Sequence, residues 1–186
     1  MKIGLYFGTF NPIHIGHLII ANHLAEHSDL QQIWMVVTPH NPLKQKNTLL
    51  DDRQRLHMVR LATEDFPKIK PSDIEFKLPQ PNYTVNTLSH LKEKFPQHEF
   101  AIIMGEDNLN SLHKWKNHMY ILENHDIYIY PRIVVAEVFT AKIAKSPFSN
   151  TVTFETSKFE LNALVIPVEV AESVKLFAEI VCNKPE

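Results

Sequence analysis

Short apolar runs alternating with stretches of helical periodicity constrain this chain more than any other feature of its sequence. Residues 33–38 (IWMVVT), 100–104 (FAIIM) and 127–130 (IYIY) are too short for helices and nearly free of polar side chains. That is the signature of strands buried on both faces. Residues 2–7 read as a further strand, and 69–78 as extended. Between them, Leu18, Ala21, Leu24 and Ala25 recur at helical spacing in a segment opening near Gly16 and ending about His27. Leu56, Val59 and Ala62 do so in a segment capped by Asp51 or Asp52, and Val85, Leu88, Leu91 and Phe95 in one capped by Thr84. A short helix is expected over 106–113. This alternation predicts an α/β fold of one domain spanning 1–186, a Rossmann-like doubly wound parallel sheet with helices on both faces.

In such sheets ligands lie at the carboxyl ends of the strands, and the conspicuous polar residues gather there. His14 and His17 follow the first strand, His40 and Lys44 the second, Asp107 the strand at 100–104, and Arg132 the strand at 127–130. The first of these loops is singular, because three of the four glycines of the chain, Gly4, Gly8 and Gly16, fall between residues 2 and 20. Glycines so concentrated predict sharp turns or close approach of a ligand to the backbone. A loop feeding a helix N-terminus also offers free N–H groups and a positive dipole end, which suit phosphate.

The remaining composition narrows the chemistry. A formal net charge of -2 argues against a polyanion-binding face, so a small nucleotide is expected rather than nucleic acid. The single cysteine, Cys182, excludes an internal disulfide and any cysteine-based metal cluster. No apolar run has the length of a transmembrane helix, and the N-terminus lacks a signal-peptide profile, so a cytoplasmic protein without a membrane partner is expected. His23, His27, His57, His90, His98, His118 and His125 are expected at the surface, with no dedicated metal site.

The segments GTFNPIHIGH (8–17), PHNPLK (39–44), YTVNTL (83–88), IMGEDNLNSLHKW (103–115) and YPR (130–132) together resemble the HxGH nucleotidylyltransferase superfamily. Within it they are similar to the bacterial nicotinate-mononucleotide adenylyltransferases. The resemblance implies a nucleotidyltransferase of NAD biosynthesis that uses ATP and nicotinate mononucleotide, with Mg²⁺ arriving on ATP. It implies catalytic roles for His14, His17 and Lys44. Gly8, Thr9, Phe10, Gly16, His17, Gly105 and Asp107 would bind ATP, Asp107 through a ribose hydroxyl. Asn11, His40, Tyr83, Thr84, Trp115 and Arg132 would bind the mononucleotide, Trp115 by stacking on the pyridine ring.

The resemblance covers 1–132, and the tail 133–186 departs from it. Relatives carry a late Ile-Ser-Ser-Thr-x-Ile-Arg segment for the ATP phosphates, whereas the nearest stretch here is ELNALVIP and Arg132 is the last arginine. Lys145, Ser157 and Lys158 are the substitutes on offer. In the tail, strands at 152–156 and 161–166 and a helix from about 168 are expected. Adenylyl transfer to another phosphate such as phosphopantetheine, or nucleotide binding without turnover, are the alternative readings.

Overall fold

The first strand, β1 (Lys2–Gly8), is buried from Ile3 to Tyr6 on both faces, as a central strand must be. Helix α1 (Ile15–His27) follows it, then β2 (Gln32–Val37), α2 (Asp52–Ala62), β3 (Ile69–Ser72), α3 (Thr84–Lys94) and β4 (Glu99–Gly105). Helices α4 (Glu106–Asn110) and α5 (His118–Asn124) precede β5 (Ile127–Tyr130), β6 (Phe139–Ala144) and β7 (Thr151–Thr156). The computed structural model describes residues 1–39, 49–130, 139–144 and 151–156, the last two stretches by backbone alone. The strand expected at 161–166 and the helix from 168 lie outside the described residues.

The chain divides into two compact units, Met1–Ile103 and Met104–Glu186, with the division falling inside β4. In the first, the strand order is β3-β2-β1-β4 and every pairing is parallel. Ile3 stands between Gln32 and Phe100, and Tyr6 between Met35 and Ile103. The chain therefore winds outward from β1 through β2 to β3 and then returns to the other side of β1. Right-handed crossovers place the helices of the two excursions on opposite faces. This is the doubly wound parallel fold, and its strand order reverses at β1, so the loop after β1 opens at the topological switch point.

Burial explains why these runs became strands. Ile3, Leu5, Ile33, Met35 and Ile102 are each 1% exposed or less, and each such side chain contributes about 1.5–3 kcal/mol by leaving water. On α3, Val85, Leu88 and Leu91 form the expected inward stripe. In the second unit, β5 pairs antiparallel with β6 and β6 antiparallel with β7, so an antiparallel ribbon follows the parallel strands.

Some expected elements change shape. The extended stretch at 69–78 stops at Ser72, and Ile74–Lys77 coils into a 3-10 turn. Ile74 and its neighbour Glu75 are both buried, which a one-sided strand cannot arrange. Thr84 is the first helical residue of α3 rather than its cap; Tyr83 is the N-cap and makes no side-chain capping bond. For α2 the cap is Asp51, whose carboxylate accepts from Arg53 N and Gln54 N at 2.9 and 3.4 Å. The helix expected over 106–113 breaks at Ser111, whose hydroxyl donates to the Asn108 carbonyl at 3.1 Å, and a 3-10 turn (Leu112–Lys114) follows. Helix α5 was not expected. Two histidines assigned to the surface, His23 and His125, are buried, 6% and 8% exposed.

Candidate functional site

The loop from Thr9 to His14 begins with a conformational constraint. Phe10 has φ 44°, in the left-handed region that a bulky residue avoids, although its ring is 2% exposed. Its ring meets Tyr6 and His17 edge to face at 5.8 and 5.1 Å. All four glycines keep negative φ, so the turn is made by Phe10, and glycine serves for close approach instead. A Cβ on Gly16 would lie 3.1 Å from His14 Nδ1.

Gly16 thus leaves room for the His14 ring, which stacks on His17 with centroids 3.8 Å apart and planes 29° from parallel. His14 is the N-cap of α1 and His17 its third helical residue. The His14 N–H donates to His17 Nδ1 at 3.3 Å. That bond makes Nδ1 the acceptor, so the neutral His17 ring carries its proton on Nε2 and presents a donor there. Two imidazoles and the positive end of a three-turn helix are thereby gathered at one loop, a suitable arrangement for phosphate oxygens. Asn11 Oδ1 accepts from Leu50 N at 3.2 Å and ties the loop to the segment just before α2.

Behind the loop lie charged residues that the sequence reading passed over. Arg55 on α2 is 0% exposed. Its Nε donates to the Leu50 carbonyl at 3.0 Å, Nη1 to the carbonyls of Thr9 and Thr38, and Nη2 to the Pro39 carbonyl and the Asp52 carboxylate. The signal was present: Arg55, Val59 and Ala62 stand at i, i+4 and i+7 on the inward face of α2. Glu75, 2% exposed, accepts from the Thr87 hydroxyl at 2.7 Å, and its backbone carbonyl accepts from Asn82 Nδ2 at 3.1 Å. Burial pushes the Glu75 carboxyl above the usual glutamate range, and the Thr87 and Thr38 hydroxyls offset this only in part. Among the described residues Glu75 Oε2 has no hydrogen-bond partner. These bonds fasten the 3-10 turn to the first turn of α3, where Tyr83 and Thr84 are half-buried.

In the second unit, Gly105 caps α4 and Asp107 follows in its first turn, exposed. A Cβ on Gly105 would fall 2.5 Å from Asp107 Oδ1, so the carboxylate lies directly over the glycine. Trp115 is half-buried after the 3-10 turn, its carbonyl accepting from His118 N at 3.2 Å. The expected site residues His40, Lys44 and Arg132 lie outside the described residues. Among the described residues no group of three or more His, Cys, Asp or Glu side chains could hold a metal ion, and no helix is long and apolar enough to cross a membrane.

Comparison with known proteins fits this geometry. A family model described as cytidylyltransferase-like matches residues 5–172. A Flavobacterium psychrophilum protein named probable nicotinate-nucleotide adenylyltransferase is 81% identical over 133 residues, 72% of this chain and 69% of that protein. A Christiangramia forsetii protein of the same name is 67% identical over 74% of this chain and 71% of that one. Among solved structures, the Plasmodium falciparum nicotinic acid mononucleotide adenylyltransferase complexed with NaAD superposes with TM-score 0.61 at 20% identity, over 70% of this chain and 64% of that one, a likeness of fold. A family model that spans most of the chain and relatives this similar place it: the chain belongs to the cytidylyltransferase-like family and, within it, to the nicotinate-nucleotide adenylyltransferases.

Proposed function

We propose that this protein transfers the adenylyl group of ATP to nicotinate mononucleotide, forming nicotinate adenine dinucleotide in NAD biosynthesis. A phosphate oxygen of the mononucleotide attacks the α-phosphorus of ATP. The bond from that phosphorus to the oxygen bridging toward the β-phosphate breaks, and pyrophosphate leaves with the electron pair. No protein nucleophile is needed; the protein's task is to bring two polyanions together and to stabilise the charge that develops on the leaving group.

The observation that carries this reading is the stacked His14 and His17 pair at the N-terminus of α1, with His17 Nδ1 accepting from the His14 N–H so that Nε2 is the ring's donor. Donors held in place before the reaction stabilise developing charge without reorganising. By resemblance to the family, the Gly8–Phe10 backbone and Lys44 would hold the ATP phosphates, and Asp107 a ribose hydroxyl. Tyr83 and Thr84 at the start of α3, with Asn11, His40, Trp115 and Arg132, would hold the mononucleotide. Mg²⁺ enters as part of the ATP substrate, coordinated chiefly by phosphate and water. A cytoplasmic setting, where ATP is plentiful, suits the reaction.

The test is an assay of purified protein with ATP, Mg²⁺ and either nicotinate or nicotinamide mononucleotide, following pyrophosphate and dinucleotide. Nicotinate adenine dinucleotide is the expected product. His17→Ala is expected to lower kcat by about 10²–10³, the usual effect of losing one preorganised donor; undiminished turnover in that variant would sink the mechanism.

A further inference from the structure

A fully buried arginine joins three segments of the first unit. The Arg55 guanidinium takes the carbonyls of Thr9, Thr38 and Pro39, and its Nε takes that of Leu50. Its single carboxylate partner among the described residues, Asp52, is 41% exposed, while the Arg55 side chain itself is 0% exposed. A hydrophobic side chain of similar volume would fill the space at less desolvation cost. The placement of the donors accounts for arginine being there: a rigid planar fork spreads its N–H donors over three nitrogens and so reaches carbonyls of separate segments, whereas lysine offers three donors from a single nitrogen.

The carbonyl of Thr9 belongs to the same peptide group as the N–H of Phe10. In a trans peptide these two point in opposite directions, so a grip on Thr9 O from the α2 side aims Phe10 N–H away from α2. Donating to the carbonyl also polarises the amide and strengthens its N–H as a donor. Phe10 is moreover the residue held at φ 44°. Such a conformation is strained for a bulky residue and persists only where the surroundings enforce it, typically at ligand-clamping loops.

We propose that Arg55 is a positioning residue for nucleotide phosphate: by holding the Thr9 carbonyl it sets the Phe10 amide as a phosphate donor. The inference rests on the adenylyl-transfer reading for the identity of the phosphate, and deepens it by naming the group that shapes the loop. Arg55 touches no substrate and acts through the Thr9–Phe10 peptide.

The experiment measures ATP affinity by calorimetry and both KM values in wild type and in Arg55→Lys, which keeps the charge and loses the fork. The expected result is about tenfold weaker ATP binding and a matching rise in ATP KM, with the mononucleotide KM within about twofold of wild type. Equal ATP affinity in a folded Arg55→Lys, or both KM values rising together, overturns the proposal. Because the variant can fail to fold, the ¹⁵N-labelled wild type supplies an independent measurement: the Phe10 amide proton should shift downfield on adding Mg-ATP, and an unmoved Phe10 signal overturns the proposal by itself. Wild type that binds ATP and makes no dinucleotide refutes the adenylyl-transfer reading while the affinity ratio still judges Arg55. Wild type that does not bind ATP refutes both.

Discussion

Gly16 sits in the first turn of α1, where alanine would ordinarily be the better residue by up to about 1 kcal/mol. The cost is accepted because a Cβ there would lie 3.1–3.2 Å from the Nδ1 and Cε1 atoms of His14. Gly16→Ala is therefore expected to leave the thermal midpoint equal or raised and to displace the His14 ring by a few tenths of an ångström, lowering kcat/KM about tenfold. Measuring both on one preparation checks this; wild-type activity in the variant would mean that the position of the His14 ring has no catalytic consequence. Glycine crowding in this loop was legible from the sequence, but its reason was not. The expected backbone freedom falls to Phe10, whose positive φ cannot be read from residue type because it accompanies the burial of its ring among residues distant in the local pattern. Arg55 and Glu75 were missed for a related reason: a charged side chain is read as exposed unless its partners, distant in sequence, are known.

Among the elements, strands were the most legible. The run at 127–130 coincides with β5, bounded by Asp126 and Pro131, because a central apolar strand has no other use for four consecutive buried residues. Elements shaped by tertiary partners were not: the 3-10 turn at Ile74–Lys77 forms where Glu75 turns inward to Thr87, and seven-residue α5 is too short for periodicity to reveal. The Glu75 carboxyl gives α3 a pH dependence. Its folded pKa lies above its unfolded value, so below the unfolded value, about 4.3, both states are protonated and no penalty exists. As pH rises through the window between the two, the unfolded chain releases a proton that the native state keeps, and stability falls. Glu75→Gln retains an acceptor for Thr87 and cannot ionise. Its thermal midpoint relative to wild type is expected to rise between about pH 4 and the folded pKa of Glu75, then level off. A difference between the two proteins that does not change with pH would refute this origin. His23 acts oppositely: burial, then the neighbouring His27, lower its pKa, so stability falls as pH drops below the ordinary histidine value.

At the scale of the whole molecule, the parallel order β3-β2-β1-β4 follows from the alternation of strand and helix, and its reversal at β1 brings the histidine loop to the switch point. The relatives align over lengths of 133 and 137 residues, close to the stretch 1–132 whose motifs carry the resemblance, while the family model reaches residue 172. In the tail the strand expected at 152–156 is β7, whereas β6 was not foreseen, and neither carries a recognisable phosphate motif. With a net charge of -2, affinity for a polyanion must come from directed donors rather than from the overall field. That distinction predicts how the molecule responds to ligand. A nucleotide bound only by the native state stabilises it by mass action, by about 2.7 kcal/mol at a hundred times Kd, or about 5–10 °C in a chain of this size. Mg-ATP should therefore raise the thermal midpoint of the wild type in proportion to the logarithm of its concentration. Inorganic triphosphate at equal ionic strength should raise it less, because it lacks the adenosine. His17→Ala should show a smaller rise than wild type, having lost one donor but not the helix N-terminus. Equal rises for ATP and triphosphate would mean that charge alone binds, and a midpoint unmoved by ATP would remove the nucleotide from the account altogether.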